Sequence, residues 1–185
     1  MKVISVKITS YKNRGMFLES IINESNSYYV VTDKALIFKK PTPIKVINVT
    51  YPNNKAVINK AVFDHISTLD YNGLYRGKYI EFDAKETNNK TSFPLSNVKE
   101  HQMKHIENVL KHNGIAFLII FMNNEFFLLK GETLIDFVKD DTRKSIPFEF
   151  IKNNAYKIEE KFTPRLDYLK IVDAVYFKEE VNEKN

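Results

Sequence analysis

The chain has 185 residues, 43% hydrophobic, so it can build a sizeable core and wholesale disorder is excluded. It contains no Cys, which excludes disulfides, thiolate metal sites and cysteine nucleophiles, and packing falls to 14 Phe and 10 Tyr with no Trp. A net charge of +5 biases the surface toward a polyanionic partner.

The cations before Asp70 gather as Lys34, Lys39, Lys40, Lys45, Lys55 and Lys60, whereas the tail after Phe177 carries Glu179, Glu180 and Glu183. No basic region followed by an apolar stretch opens the sequence, and the longest apolar run, Ile115 to Met122, is too short to span a bilayer. No membrane role and a cytoplasmic location are expected.

In chain order, Leu18, Ile21, Ile22 and Tyr28/Tyr29 give helical spacing from Met16 to about Tyr29. Ala35 to Phe38 reads as a short strand, ended by Lys39-Lys40 and Pro41-Thr42-Pro43. Ile44–Tyr51 and Ala56–Phe63 form a hairpin around Pro52-Asn53-Asn54. It carries lysines on both arms and alternates imperfectly, so it is expected to project from the body. Thr68–Tyr75 and Lys78–Thr87 form a second hairpin around Arg76-Gly77. In its second arm Ile80, Phe82 and Ala84 point to a core, and Glu81, Asp83 and Lys85 point the other way.

Asn97 followed by Glu100 predicts a helix cap, with the helix running through Ile106, Val109 and Leu110 to a stop at Gly114. Ile115–Phe121 is apolar throughout, as a central strand covered on both faces would be, and Asn123-Asn124 turns it into Glu125–Leu129. The remainder reads mostly as helix: Thr133–Lys139, a turn at Ser145-Ile146-Pro147, and Leu166–Tyr176 after Pro164. This order indicates an α/β fold with a mixed sheet flanked by helices.

The chemistry-bearing pattern is Asp70, then Asp83 thirteen residues later, then Lys85. Magnesium wants hard oxygen ligands and keeps several waters, so two carboxylates from neighbouring strands suit it. Phosphodiester hydrolysis needs an activated water, a neutralised non-bridging oxygen and a stabilised leaving group, which a metal and a lysine can supply. Asp-x-Lys alone is weak, because surface strands often alternate acid and base in cross-strand ion pairs. His101 and His105 stand one helical turn apart, but without the glutamate base of a metalloprotease, so a zinc reading is poorly supported.

Further blocks give the pattern its specificity. They are Asn13-Arg14-Gly15-Met16 with Leu18-Glu19, Lys39-Lys40-Pro41-Thr42-Pro43, Asp70-Tyr71-Asn72-Gly73, Tyr79 to Thr87, Lys90 to Leu95, Glu100-His101-Gln102, Pro164 to Tyr168 and Val172-Asp173. Together, in order over roughly residues 13 to 177, they resemble the RecU family of Holliday junction resolvases, within the PD-(D/E)xK nuclease superfamily.

The resemblance implies a restriction-endonuclease-like mixed β-sheet flanked by helices, with a single nuclease domain over residues 1–185 and a protruding β-hairpin stalk inserted at about 41–66. It implies a homodimer that makes paired symmetric nicks in four-way junction DNA during recombination and repair, leaving 5′-phosphate ends. The implied cofactor is Mg2+, with Mn2+ as a substitute. Asp70 and Asp83 take the positions of the metal carboxylates, Lys85 that of the catalytic lysine, and Glu19 that of an acid joining from the first helix. Gln102 falls beside the metal positions and is assigned to the metal set. Arg14, Lys39, Lys40, Lys45, Lys55, Lys60 and Arg76 are the implied DNA contacts. RecA and branch-migration proteins are implied partners. This chain departs from the family in one respect: the family usually has Glu where Asp83 stands, which withdraws that carboxylate by one methylene. Two other readings remain open, a restriction-like or repair nuclease acting on duplex DNA and a non-catalytic junction-binding modulator of recombination.

Overall fold

The structure is a computed structural model, and it describes residues 16–63, 68–140 and 142–177. Its elements in order are α1 (Met16–Val31), β1 (Leu36–Lys39), β2 (Ile44–Thr50), β3 (Val57–Phe63), β4 (Tyr71–Tyr75) and β5 (Lys78–Glu86). There follow β6 (Ser92–Pro94), α2 (Glu100–Lys111), β7 (Ile115–Met122), β8 (Glu125–Lys130) and α3 (Gly131–Asp140). The chain continues through β9 (Ser145–Pro147), α4 (Phe148–Asn154), β10 (Tyr156–Ile158) and α5 (Tyr168–Tyr176).

Six strands form the central sheet in the order β1-β4-β5-β7-β8-β10. All its pairs are antiparallel except β5–β7, which is parallel. Parallel neighbours need a crossover connection, and α2 lies in the segment that makes it. The sheet is therefore mixed and flanked by helices, as the element order predicts.

Period-two alternation divides the core in two. Ile80, Phe82, Phe117, Ile119 and Leu128 pack under α1 and α5 with Leu18, Ile21, Tyr168 and Leu169. On the other face Ala116, Leu118, Ile120, Phe127 and Leu129 pack under α2, α3 and α4 with Ile106, Val109, Leu134 and Ile151. Tyr71, Phe82 and Phe117 stack in series through the first layer, with centroids 4.9 and 4.8 Å apart.

The strand pair β2–β3 forms a separate two-stranded sheet. All its residues are exposed except the half-buried Val49, including Ile44, Val46, Ile47, Val57, Ile58, Val62 and Phe63. That agrees with a hairpin that packs neither face on the body.

Three local expectations need correction. The start of α2 is not capped by Asn97, which lies in a short 3-10 turn; the helix begins at Glu100, with Lys99 before it. The segment after β8 is mostly helix, in α3, α4 and α5, but the turn expected at Ser145-Ile146-Pro147 is a strand paired with β6, and Tyr156–Ile158 adds an edge strand beside β8. Strands of three residues are too short to show a period, and their pairing partners create them. Finally, the face of β5 that carries Glu81 and Asp83 does not look out to solvent. Both acids are fully buried, because α2 covers that face.

Gly73 marks a close approach of β4 to β1. A Cβ there would lie 1.9 Å from the Leu36 carbonyl oxygen, a backbone atom of the paired strand β1. Gly73→Ala should therefore push β1 off β4 and cost about 1–3 kcal/mol, the usual range for overpacking. Thermal unfolding would register this as a clear drop in Tm, and an unchanged Tm would show that β1 is not fixed at this point.

Candidate active site

The β4–β5 hairpin turns through Arg76 and Gly77, both at positive φ (48° and 76°). Two central residues of that hand make the tight turn that suits a twisted hairpin, and glycine carries the second without strain. The turn fixes the register, with Tyr75 opposite Lys78 and Tyr71 opposite Phe82. One more pair along, Asp70 stands opposite Asp83. Cross-strand neighbours have Cβ atoms about 4.5–5.5 Å apart, so the thirteen-residue spacing is the geometry of this turn. The pairing of Lys39 with Tyr71 extends the row to Lys40, whose backbone N–H donates to the Asp70 carbonyl at 2.8 Å. Lys40, Asp70 and Asp83 thus sit side by side across three strands.

Asp83 is fully buried, and each of its oxygens has a different fate. Oδ2 accepts from Lys85 Nζ at 2.8 Å and from Gln102 Nε2 at 2.7 Å. Oδ1 is buried with no hydrogen-bond partner. Burial pushes the Asp83 carboxyl up from its ordinary 3.8 to about 7; the Lys85 ammonium pulls it down and the neighbouring Asp70 carboxylate pushes it up again. A buried oxygen without a donor and two adjoining acids are costly unless a proton or a cation neutralises them.

A divalent cation fits that arrangement. The donors are carboxylate oxygens, and the open lone pairs belong to Asp83 Oδ1. Among the described residues no three of His, Cys, Asp and Glu converge as a metal cluster. Two adjoining carboxylates suit a hard divalent cation that completes its shell with water and phosphate oxygens.

Gln102 reaches this site from the first turn of α2. Its Oε1 accepts from the Lys99 backbone N–H at 3.1 Å at the start of α2. That leaves Nε2 to donate to Asp83 and, at 3.3 Å, to the Thr68 carbonyl. Its partners fix the amide this way round, because a backbone N–H needs an acceptor and a carboxylate needs a donor. Gln102 therefore bonds Asp83 through its nitrogen, while its oxygen accepts from the start of α2.

Glu19, expected from α1, lies near but apart. It pairs with Lys39. Its charge, with those of Asp70 and Asp83, helps to raise the Tyr71 hydroxyl after burial, the largest cause. Tyr71 donates to Asn23 Oδ1 at 3.1 Å and so ties α1 to this edge of the sheet.

A second cluster adjoins the first along β5. Glu81 accepts from Lys40 Nζ through Oε1, and from His105 Nε2 and the Tyr79 hydroxyl through Oε2, both at 2.7 Å. Burial pushes its carboxyl up, but these donors outweigh it and hold it below the usual range. Lys40 also donates to Thr68 Oγ1.

The family described as "RecU: Recombination protein U" matches residues 13–174. The chain belongs to the RecU family. A Holliday junction resolvase RecU of Oceanobacillus iheyensis is 47% identical over 173 residues, covering 90% of this chain and 88% of that protein. One of Staphylococcus aureus is 49% identical over 175 residues, covering 91% and 84%. Among solved structures, Archaeoglobus fulgidus Hjc, a Holliday junction resolvase, overlaps with a TM-score of 0.47 at 8% identity, covering 78% of this chain and 92% of that one.

Set against the RecU resemblance, the fold brings Asp70, Asp83, Lys85 and Gln102 together. It places Lys45, Lys55 and Lys60 on the exposed β2–β3 hairpin and Lys39 at its foot. Lys40 is turned inward to Glu81. Arg76 lies at the far end of the β4–β5 hairpin, roughly 20 Å along it at about 3.4 Å per residue. There it pairs with Asp173 at 3.2 Å and covers the Phe177 ring. Arg14 lies outside the described residues. Sequence reading missed Thr68, Tyr79 and His105 as neighbours of the site. The one available signal was that Gln102 and His105 share a face of α2 at i, i+3.

The raised Asp83 carboxyl gives a pH signature in the metal-free protein. Between pH 3.8 and about 7 the folded chain holds a proton that the unfolded chain has lost. Its stabilising contribution is therefore complete at the acid end and is lost as pH rises to about 7. Asp83→Asn should flatten that part of the stability profile and raise Tm at pH 8. Divalent-ion affinity in the parent should rise with pH up to about 7, with a proton released on binding below it. Calorimetry in two buffers of different ionisation heat measures that proton directly.

Proposed function

We propose that this protein is a Holliday junction resolvase, a divalent-metal-dependent endonuclease that nicks four-way junction DNA. The observation that carries the reading is the orphaned Asp83 Oδ1 beside Asp70, with Lys85 bound to the other oxygen of the same carboxylate. RecU family membership over most of the chain supports the substrate, and the oxygen-only donor set supports magnesium.

In this reading Asp70 and Asp83 hold the cation. When bound, that ion neutralises a non-bridging phosphate oxygen and acidifies a water. Lys85, anchored on Asp83 and part-exposed at 17% of its side chain, faces the phosphate. Its ammonium aligns the attacking water and balances the charge gathering on the phosphate oxygens. Water adds to phosphorus and the bond to the 3′ oxygen breaks, which leaves a 3′-hydroxyl and a 5′-phosphate. Gln102 keeps the Asp83 carboxylate turned toward the ion.

The chain acts as one nuclease unit, with residues 41–66 as a stalk for the junction. Lys45, Lys55 and Lys60 on its surface, and Lys39 at its foot, neutralise converging phosphates, so binding weakens steeply with salt. A homodimer presents two identical sites to a two-fold substrate, which accounts for paired symmetric nicks.

On a synthetic junction with magnesium, Asp70→Asn and Lys85→Ala should each lower the cleavage rate on the order of 10²-fold or more. Parent cleavage that both substitutions leave intact would sink the assignment. Deletion of residues 42–66 is feasible because the two feet of the hairpin meet where Lys40 bonds Asp70. It should abolish preference for a junction over a duplex while leaving residual duplex nicking. An unchanged preference would favour a duplex nuclease instead.

A further inference from the structure

Past the end of β5 the chain builds a cleft of about 480 Å³, lined by Lys85, Thr87, Asn88, Ser96, Asn97 and Lys99. Both of its walls are fixed by the chain itself. The Thr87 N–H donates to the Phe121 carbonyl at 3.1 Å, which carries the β5–β7 pairing beyond Glu86. In the loop that follows, Asn89 Oδ1 accepts from the Thr91 N–H at 3.0 Å. Its Nδ2 donates to Ser92 Oγ at 3.3 Å. The facing 3-10 turn, Leu95–Asn97, is anchored by the buried Phe93 and Val98, and the Leu95 N–H donates to the Lys144 carbonyl at 3.0 Å. The donors in the lining are unspent. Among the described residues no carboxylate pairs with Lys99, and the side chains of Asn88, Ser96 and Asn97 make no hydrogen bond. Glu86 also lines the cleft, but period two turns it to the face of β5 opposite Lys85 and Thr87.

We propose that this cleft is a phosphate subsite, in which Lys99 and the hydroxyl and amide donors beside it grip a phosphodiester flanking the one that is cut. This rests on the reading that the chain cuts a DNA strand at Asp70, Asp83 and Lys85. Lys85 borders both places, since its ammonium bonds Asp83 while the residue lines the cleft. Thr87 stands about 7 Å farther along β5 at ~3.4 Å per residue, within one or two steps of a strand that rises about 3.4 Å per phosphate. Lysine together with Ser, Thr and Asn side chains is the set of groups that holds phosphates in DNA complexes. Such contacts read no base, so they set where the strand lies against the site and not which sequence is cut. Placement matters because a misplacement of about 1 Å can cost on the order of 10²-fold in rate. The position also suits the stalk. Because β4 and β5 are antiparallel, β4 begins where β5 ends, so the hairpin that precedes β4 joins the same end of the sheet.

Cleavage of a synthetic four-way junction by the full chain in magnesium first marks the cut linkage. Junctions are then made with a single uncharged methylphosphonate at the linkage on either side of it. Lys99→Ala should raise KM about tenfold. Without magnesium, it should reduce the slope of log affinity against log salt by about 1, the loss of one phosphate contact. Lys104→Ala removes another exposed lysine of α2, one that lies outside the cleft, and should match the parent. One of the two methylphosphonates should weaken parent binding as Lys99→Ala does. On that junction Lys99→Ala should cost nothing more, because both changes remove the same contact. An unchanged KM in Lys99→Ala, an equal loss in Lys104→Ala, or losses that add at both flanking linkages overturns the subsite. A parent that cuts no junction overturns the nuclease reading itself and this inference with it.

Discussion

Burial of carboxylates on one face of β5 is the constraint from which the rest of this molecule is organised. Asp83 and Glu81 are two residues apart, on the same side of a central strand, and both are fully covered by α2. Removing such charges from water is costly, and the structure meets that cost differently at each. Glu81 is saturated by a lysine, a histidine and a tyrosine, and its carboxyl sits below the usual range. Asp83 receives a lysine and an amide on one oxygen only, and its carboxyl sits well above that range. Identical chemistry in adjoining sites is thus driven in opposite directions by the number of donors supplied.

That contrast separates support from function. A saturated acid is finished: it holds Lys40, His105 and Tyr79 in place and has nothing left to bind. An unsaturated one retains lone pairs and an unfavourable charge, both relieved by a cation. Groups with strongly perturbed carboxyls also occur in structural ion pairs. Here the orphaned oxygen, the adjoining Asp70 and membership in the RecU family point the same way.

The β2–β3 hairpin illustrates a second balance. Its strands leave Ile44, Ile47, Ile58 and Phe63 in solvent, which a freestanding hairpin would not favour. An exposed apolar hairpin interleaved with lysines has the composition of a contact surface, and a pair of strands that packs on nothing has little else to hold it at a fixed angle. What holds it is its foot, where β1 and β4 bring Lys40 against Asp70.

Much of this was legible in the residues. The turn at Arg76-Gly77 determines by counting alone that position 70 meets position 83, and period two puts 81, 83 and 85 on one face. Collinear blocks from Asn13 to Asp173 carried the family, because many weak matches in order are far more specific than Asp-x-Lys. Three-residue strands such as Tyr156–Ile158 were not legible, since only the partner β8 makes them strands. Nor was the role of Gln102, Lys40 or His105. Each is a polar residue whose meaning depends on what stands opposite it, and the helix α2 crosses the sheet in a way no local pattern encodes. Sequence set which side chains share a face; packing set which of them remained unsatisfied, because satisfaction is counted over neighbours that are distant along the chain.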